Sequence, residues 1–231
     1  MKKNIVVLTG AGVSAESGIK TFRDADGLWE GHDIMEVATP QGFKNNPALV
    51  LDFYNQRRKQ LLDVEPNAAH YALASLQDNF HVQIITQNVD DLHERSGSKQ
   101  VTHLHGELLK TRSSIDENLI SPWNKNIELG DLCSKGSQLR PHIVWFGEDV
   151  PMMEEAIQIT KNADILIIIG TSMQVYPAAG LIDYTPENTP IYFIDPKPSI
   201  TEKDYSLLTI IADSATKGVP TVVNSLIDTM L

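Results

Sequence analysis

The residues able to do chemistry in this chain fall in five short clusters: Gly10–Ser14, Gln87–Asp90, His105, Gly170–Ser172 and Asp195. Gly10 and Gly12 carry no Cβ, so the backbone there can turn tightly and approach a ligand. Ser14, Ser17 and the N–H groups of a helix start behind them suit the negative charge of a pyrophosphate. Gly10–Ala15 fits the dinucleotide pattern G-x-G-x-x-G/A. The acidic residue that such folds place at the end of a second strand, about 20 residues on, is missing. Asp33 stands near that distance, but no strand runs up to it. A plain nicotinamide dehydrogenase is therefore disfavoured, and a dinucleotide must be held another way. His103 and His105 would share one strand face and form an H-x-H metal pair. No third ligand is evident, and taken alone His105 reads as a strand-end histidine.

The elements that must position these clusters alternate between short apolar runs and helical spacing. Strands are predicted over Ile5–Leu8, Val82–Thr86, Val101–Leu104, Ile143–Phe146, Asp164–Ile169, Pro190–Ile194 and Ile210–Ala212. The Gly turn after the first strand is expected to open a helix. Further helices are predicted over Ala48–Leu62, Pro66–Leu76, about Met152–Asn162 and Val219–Leu231. This is an α/β pattern, a Rossmann-like parallel sheet with helices on both faces. Each cluster lies just past the carboxyl end of a predicted strand, where open α/β sheets bind ligands. Residues 1–29, 75–105 and 140–231 would build that body. Residues 30–74, a helical insertion, and 106–139, a polar and weakly periodic excursion, would form a small lobe.

The 231 residues carry 19 Lys and Arg against 30 Asp and Glu, a formal net charge of −11. That balance argues against nucleic acid as a partner. The longest apolar run, Ile165–Ile169, is too short to span a bilayer, and Met1-Lys2-Lys3 before so brief an apolar stretch is no signal peptide. The single cysteine, Cys133, permits no internal disulfide. The expected setting is the cytoplasm, away from membranes.

Five motifs taken together resemble the sirtuins, the NAD-dependent protein lysine deacylases: TGAGVSAESGIKTFR (Thr9–Arg23), TQNVD (Thr86–Asp90), HLHGE (His103–Glu107), RPHIVWFGE (Arg140–Glu148) and GTSMQVYPA (Gly170–Ala178). The resemblance covers nearly the whole chain, in order and spacing. It implies that NAD is held by Gly10, Ala11, Gly12, Ser14, Thr21, Phe22, Arg23 and Trp29 of the first stretch. Gln87, Asn88 and Asp90 would line the ribose and nicotinamide pocket, with Ile19 and Val89 as apolar walls. Gly170, Thr171 and Ser172 would take the adenosine-side ribose and phosphates, with Asp195 and Ala215 nearer the adenine. Val144, Phe146, Gly147 and Glu148, facing Val175 of Gln174–Tyr176, would flank a cleft where a peptide bearing an acyl-lysine pairs as an added strand. His105 becomes the base that accepts a ribose hydroxyl proton, with Asn88 holding the ribose hydroxyls or a water. The implied products are nicotinamide, free lysine and O-acyl-ADP-ribose.

Three details refine this reading. Tyr54-x-x-Arg57 resembles the pair found in sirtuins that prefer succinyl, malonyl or glutaryl groups. Residues three apart share a helix face, and Arg can grip a carboxylate while Tyr adds a donor. Arg58 beside it is expected to be a surface charge. Most sirtuins hold a structural zinc with two Cys-x-x-Cys pairs between the HGE and RPH motifs. Here only Cys133 falls there, so no zinc is expected. Asp195 replaces the usual Asn, which predicts weaker or shifted NAD contact. Two other functions stay open: an NAD hydrolase or ADP-ribosyltransferase reusing Asn88, Asp90 and His105, and a non-catalytic NAD or ADP-ribose sensor.

Overall fold

A computed structural model describes residues 2–20, 28–29, 31–201 and 203–230. In chain order its strands are β1 (Asn4–Thr9), β2 (Leu28–Trp29), β3 (His32–Asp33), β4 (His81–Thr86), β5 (Val101–His103), β6 (Gly106–Ser113), β7 (Ile120–Pro122), β8 (Leu139–Ile143), β9 (Ile165–Ile169), β10 (Ile191–Ile194) and β11 (Leu208–Ile211). Its α-helices are α1 (Ile34–Val37), α2 (Pro40–Asn45), α3 (Pro47–Asp63), α4 (Ala68–Ser75), α5 (Leu92–Arg95), α6 (Met153–Thr160) and α7 (Ala215–Met230).

Unbroken apolar runs mark strands covered on both faces, and the central sheet is built from them. Six strands pair in parallel in the order β11-β10-β9-β1-β4-β5. Val7, Ile84 and Ile167 face one side and pack on Leu73 of α4 and Val219, Val223 and Leu226 of α7. Val6, Leu8, Leu166 and Ile168 face the other and pack on Ala156 of α6 and on Leu181 and Ile182. The α/β class with a parallel Rossmann-like sheet is thus borne out. Strand order reverses at β1, which opens a crevice beyond the carboxyl ends of β1 and β9.

A second, antiparallel sheet in the order β7-β6-β8 leans on α3. Val50, Phe53, Tyr54 and Leu61 of α3 pack with Leu108, Ile143 and Trp145. Asn46 starts α3 by accepting the Leu49 N–H, with Pro47 in its first turn.

Several local expectations are corrected. The Gly turn opens no α-helix; two 3₁₀ turns, Ala11–Val13 and Ala15–Ser17, follow it and stop at Gly18. The strand expected over Ile143–Phe146 is β8, ending at Ile143 and paired with β6 rather than with the central sheet, so a boundary at residue 140 cuts a strand. Most of the small sheet lies inside 106–139, hidden from a periodicity reading by its polar residues. The last helix begins at Ala215 because Glu16 accepts both the N–H (2.9 Å) and the hydroxyl (2.6 Å) of Thr216. Arg58 is no surface charge. It is 1% exposed and donates to the Leu108 carbonyl at 3.0 Å and to Asn55 Oδ1 at 2.8 Å, pinning α3 to β6.

Candidate active site

The carboxyl ends of β1, β4, β9 and β10 and the turn after β5 border one cavity of about 570 Å³, within the roughly 300–1,000 Å³ usual for ligand sites. Gly10, Ala11, Gly12, Ser14, Gln87, Asn88, Val89, Asp90, His105, Gly170, Thr171, Ser172, Asp195 and Ala215 all line it. So do Tyr54, Val144, Phe146, Gly147, Glu148 and Val175. Thr21, Phe22 and Arg23 lie outside the described residues, as does the side chain of Trp29, whose backbone is in β2. Arg57 does not line the main cavity. It borders a smaller one of about 60 Å³ that shares Ile19, Lys20, Tyr54, Val89 and Asp90 with the first.

The glycines are required by each other before any ligand arrives. A Cβ on Gly12 would sit 2.6 Å from Gly170 Cα, and one on Gly170 would sit 2.5 Å from the Gly12 carbonyl carbon. Gly170 also has φ +59, a left-handed backbone that side chains disfavour. The Gly12 N–H donates to the Gly170 carbonyl at 2.8 Å, locking the β1 turn to the β9 turn across the crevice.

Behind the cavity wall the polar groups form a directed chain. His70 Nδ1 accepts the Asn67 N–H in a capping box, so its proton sits on Nε2, facing Ser14 Oγ at 3.5 Å. Ser14 donates to Asp90 Oδ2 at 3.0 Å and accepts from Asn88 Nδ2 at 3.1 Å. The Asn88 backbone is held on both sides. Its N–H donates to Thr86 Oγ1 at 3.0 Å, and its carbonyl accepts from His103 Nδ1 at 3.0 Å. His103 is oriented in turn by Glu94 at 2.7 Å, an ion pair that holds its pKa above the usual histidine value despite burial. Asn88, which lines the cavity, is thus anchored at three points.

His105 Nδ1 donates to the Gln87 carbonyl at 3.0 Å, which fixes the tautomer. Its Nε2 then carries the lone pair. Burial lowers the His105 pKa, the Gln87 bond opposing, so the ring is a neutral base at neutral pH. Asp90 is buried, and that burial raises its pKa. Asp195 is 1% exposed at the end of β10 and accepts the Lys197 N–H at 2.8 Å. This chain of donors and acceptors fits a dinucleotide with a ribose to be held and deprotonated.

The zinc held by most sirtuins would find no matching donors among the described residues. Cys133 donates its thiol to Ser113 Oγ at 3.2 Å, and Lys135 pairs with Asp116 at 2.7 Å. Among the described residues no group of three or more His, Cys, Asp and Glu side chains could hold a metal ion. No described helix is long and apolar enough to cross a membrane.

Sequence reasoning missed Glu16, Lys20 and Ser214, which line the cavity, and His70 behind it. The partner of Glu16 is 200 residues away, so no local spacing could disclose it. Only the Asn67-x-x-His70 capping pattern left a local signal.

Residues 10–177 match the sequence pattern of the Sir2 family. A Helicobacter pylori protein named "NAD-dependent protein deacylase" is 66% identical over 195 residues, 84% of this chain and 85% of the relative. One of the same name from Bacteroides thetaiotaomicron is 53% identical over 223 residues, 94% and 95% of the two chains. A solved Sir2 homolog–NAD complex superposes with TM-score 0.88 at 37% identity, covering 100% of this chain and 91% of that one. A Sir2–p53 peptide–NAD+ complex does so with TM-score 0.77 at 27% identity, covering 98% and 93%. With the matched motifs gathered at the crevice of a parallel sheet and relatives above 50% identity over most of both chains, the chain belongs to the Sir2 family, the sirtuins.

Proposed function

We propose that this sirtuin is an NAD-dependent protein lysine deacylase that favours acyl groups ending in a carboxylate. Bound NAD supplies an electrophilic ribose carbon with nicotinamide as leaving group. His105, neutral and with Nε2 as its basic nitrogen, takes a ribose hydroxyl proton. Asn88 orients the ribose, and Asp90 and Ser14 place the carboxamide. Val144–Glu148 and Val175 border the cleft for the peptide. The substrates are acyl-lysine side chains of other proteins, met in the cytoplasm without nucleic acid or membrane.

One observation carries the acidic-acyl reading. Tyr54 borders both the main cavity and the side cavity of about 60 Å³, where Arg57 lies among Ile19, Leu61, Val89 and Leu108, with Lys20, Gln60 and Asp90 completing the lining. Two cations in so small a recess attract a carboxylate, because little water competes for them. The Arg57 guanidinium is kept on this helix face by stacking 3.4 Å over the Phe53 ring and donating to the Phe53 carbonyl at 2.6 Å.

The test is NAD-dependent removal of acetyl or succinyl from one lysine peptide, with Arg57→Met beside the unaltered enzyme. A charge-assisted hydrogen bond is worth about 1.5–3 kcal/mol. The ratio of succinyl to acetyl kcat/KM should therefore fall about 10- to 100-fold in the variant. An enzyme that prefers acetyl, with Arg57→Met leaving the ratio unchanged, refutes the acyl preference. Release of nicotinamide with neither peptide processed refutes deacylation itself.

A further inference from the structure

Trp145 is 2% exposed and lines the main cavity, which Tyr54 joins to the acyl recess. Its indole is fixed from several sides. The Arg140 guanidinium stacks 3.2 Å over its ring, and Phe43 packs at 5.3 Å between centroids. Its backbone N–H donates to Glu148 Oε2 at 2.8 Å, and Glu148 is itself gripped by Arg140 at 2.6 Å and Arg112 at 2.8 Å. From this clamped position Nε1–H donates to the Tyr54 hydroxyl oxygen at 3.0 Å. Burial pushes the Tyr54 pKa up, so the phenol keeps its proton.

We infer that Trp145 is a specificity-determining positioning residue, whose indole N–H holds the Tyr54 hydroxyl so that the phenolic hydrogen is presented to the carboxylate of an acidic acyl group. This rests on the acidic-acyl reading of Tyr54 and Arg57. The physical argument is directional. A hydroxyl that accepts a donor on its oxygen must send its own hydrogen elsewhere, and that acceptance polarises the O–H and strengthens it as a donor. The side cavity that Tyr54 borders with Arg57 is where a carboxylate would meet it. Trp145 touches no substrate atom in this scheme and acts through Tyr54. An acetyl group has no carboxylate to receive the bond, so Trp145 separates the two acyl classes.

The experiment is a double-mutant cycle of Trp145→Phe and Tyr54→Phe, read as the ratio of succinyl to acetyl kcat/KM. Loss of one buried neutral hydrogen bond predicts that Trp145→Phe alone lowers the ratio about tenfold, mainly by raising KM for the succinyl peptide. In the Tyr54→Phe background the same change should alter the ratio less than about twofold, because the acceptor is gone. An equal effect in both backgrounds, or none in either, overturns the inference while the acyl preference stands. An unaltered enzyme that prefers acetyl overturns both. Should Trp145→Phe fail to fold, 3-benzothienylalanine at position 145 keeps the indole shape without the N–H and must give the same tenfold drop.

Discussion

Acid should unfold this protein early, and His70 allows the effect to be sized. Its ring is wholly buried, and its Nδ1 accepts the Asn67 N–H while its Nε2 faces Ser14. Adding a proton at Nδ1 would set donor against donor, in a site that burial has already made hostile to charge. The His70 pKa is lowered accordingly from 6.5 to about 4. Between those values the unfolded chain holds a proton that the folded chain lacks, so stability rises with pH across the window. It is complete above 6.5 and lost as the pH falls toward 4. At pH 5, linkage assigns to His70 alone a loss of about 2 kcal/mol relative to pH 8. His93, wholly buried against Thr9, acts in the same direction. Urea unfolding at steps from pH 8 to pH 5 measures the loss, with His70→Gln as the comparison. A Gln side-chain oxygen at this helix position can still accept the Asn67 N–H, yet it cannot titrate. The variant should start below the unaltered protein at pH 8 and lose about 2 kcal/mol less on the way to pH 5. Parallel curves for the two proteins would refute the assignment. The loss would also reach the site, because His70 supports Ser14 and through it Asp90 and Asn88.

His105 and the two arginines of α3 give further expected outcomes. Because burial lowers the His105 pKa below 6.5, kcat/KM should rise with pH to a plateau already reached by neutrality, and His105→Ala should cut deacylation by about 10²- to 10⁴-fold with NAD binding retained; a rising limb centred above pH 7 would contradict a His105 pKa lowered by burial. Arg58→Ala should destabilise the fold by about 2–4 kcal/mol in thermal or urea melts, since it strips buried bonds to Leu108 and Asn55 and leaves a cavity. Arg57→Met should cost far less in the same melts, so two adjacent arginines separate into a fold residue and a substrate residue.

Legibility varied with the range of the cause. The run Ile165–Ile169 disclosed a doubly covered strand, because burial on both faces removes alternation and that is visible in five residues. The Gly turn is legible as a turn, but a second reason for its glycines is not. Gly12 and Gly170 are 158 positions apart, and only the fold shows that each excludes a Cβ from the other. The two neighbouring arginines of α3 make the same point. Helical spacing puts Tyr54 and Arg57 on one face, yet that Arg58 would be the more buried of the two depended on β6 arriving beside it.

The sequence by itself determined the class of sheet, the placing of polar clusters past strand ends and the family, because these depend on periodicity, turn chemistry and motif order within short windows. Only the tertiary structure decided which nitrogen of His105 is basic, that Asn88 is anchored at three points, that Glu16 starts the last helix and that Trp145 holds Tyr54. Apart from the Thr86 bond to Asn88, each of those rests on a hydrogen bond to a partner distant in the chain, and such a bond leaves no trace in local spacing.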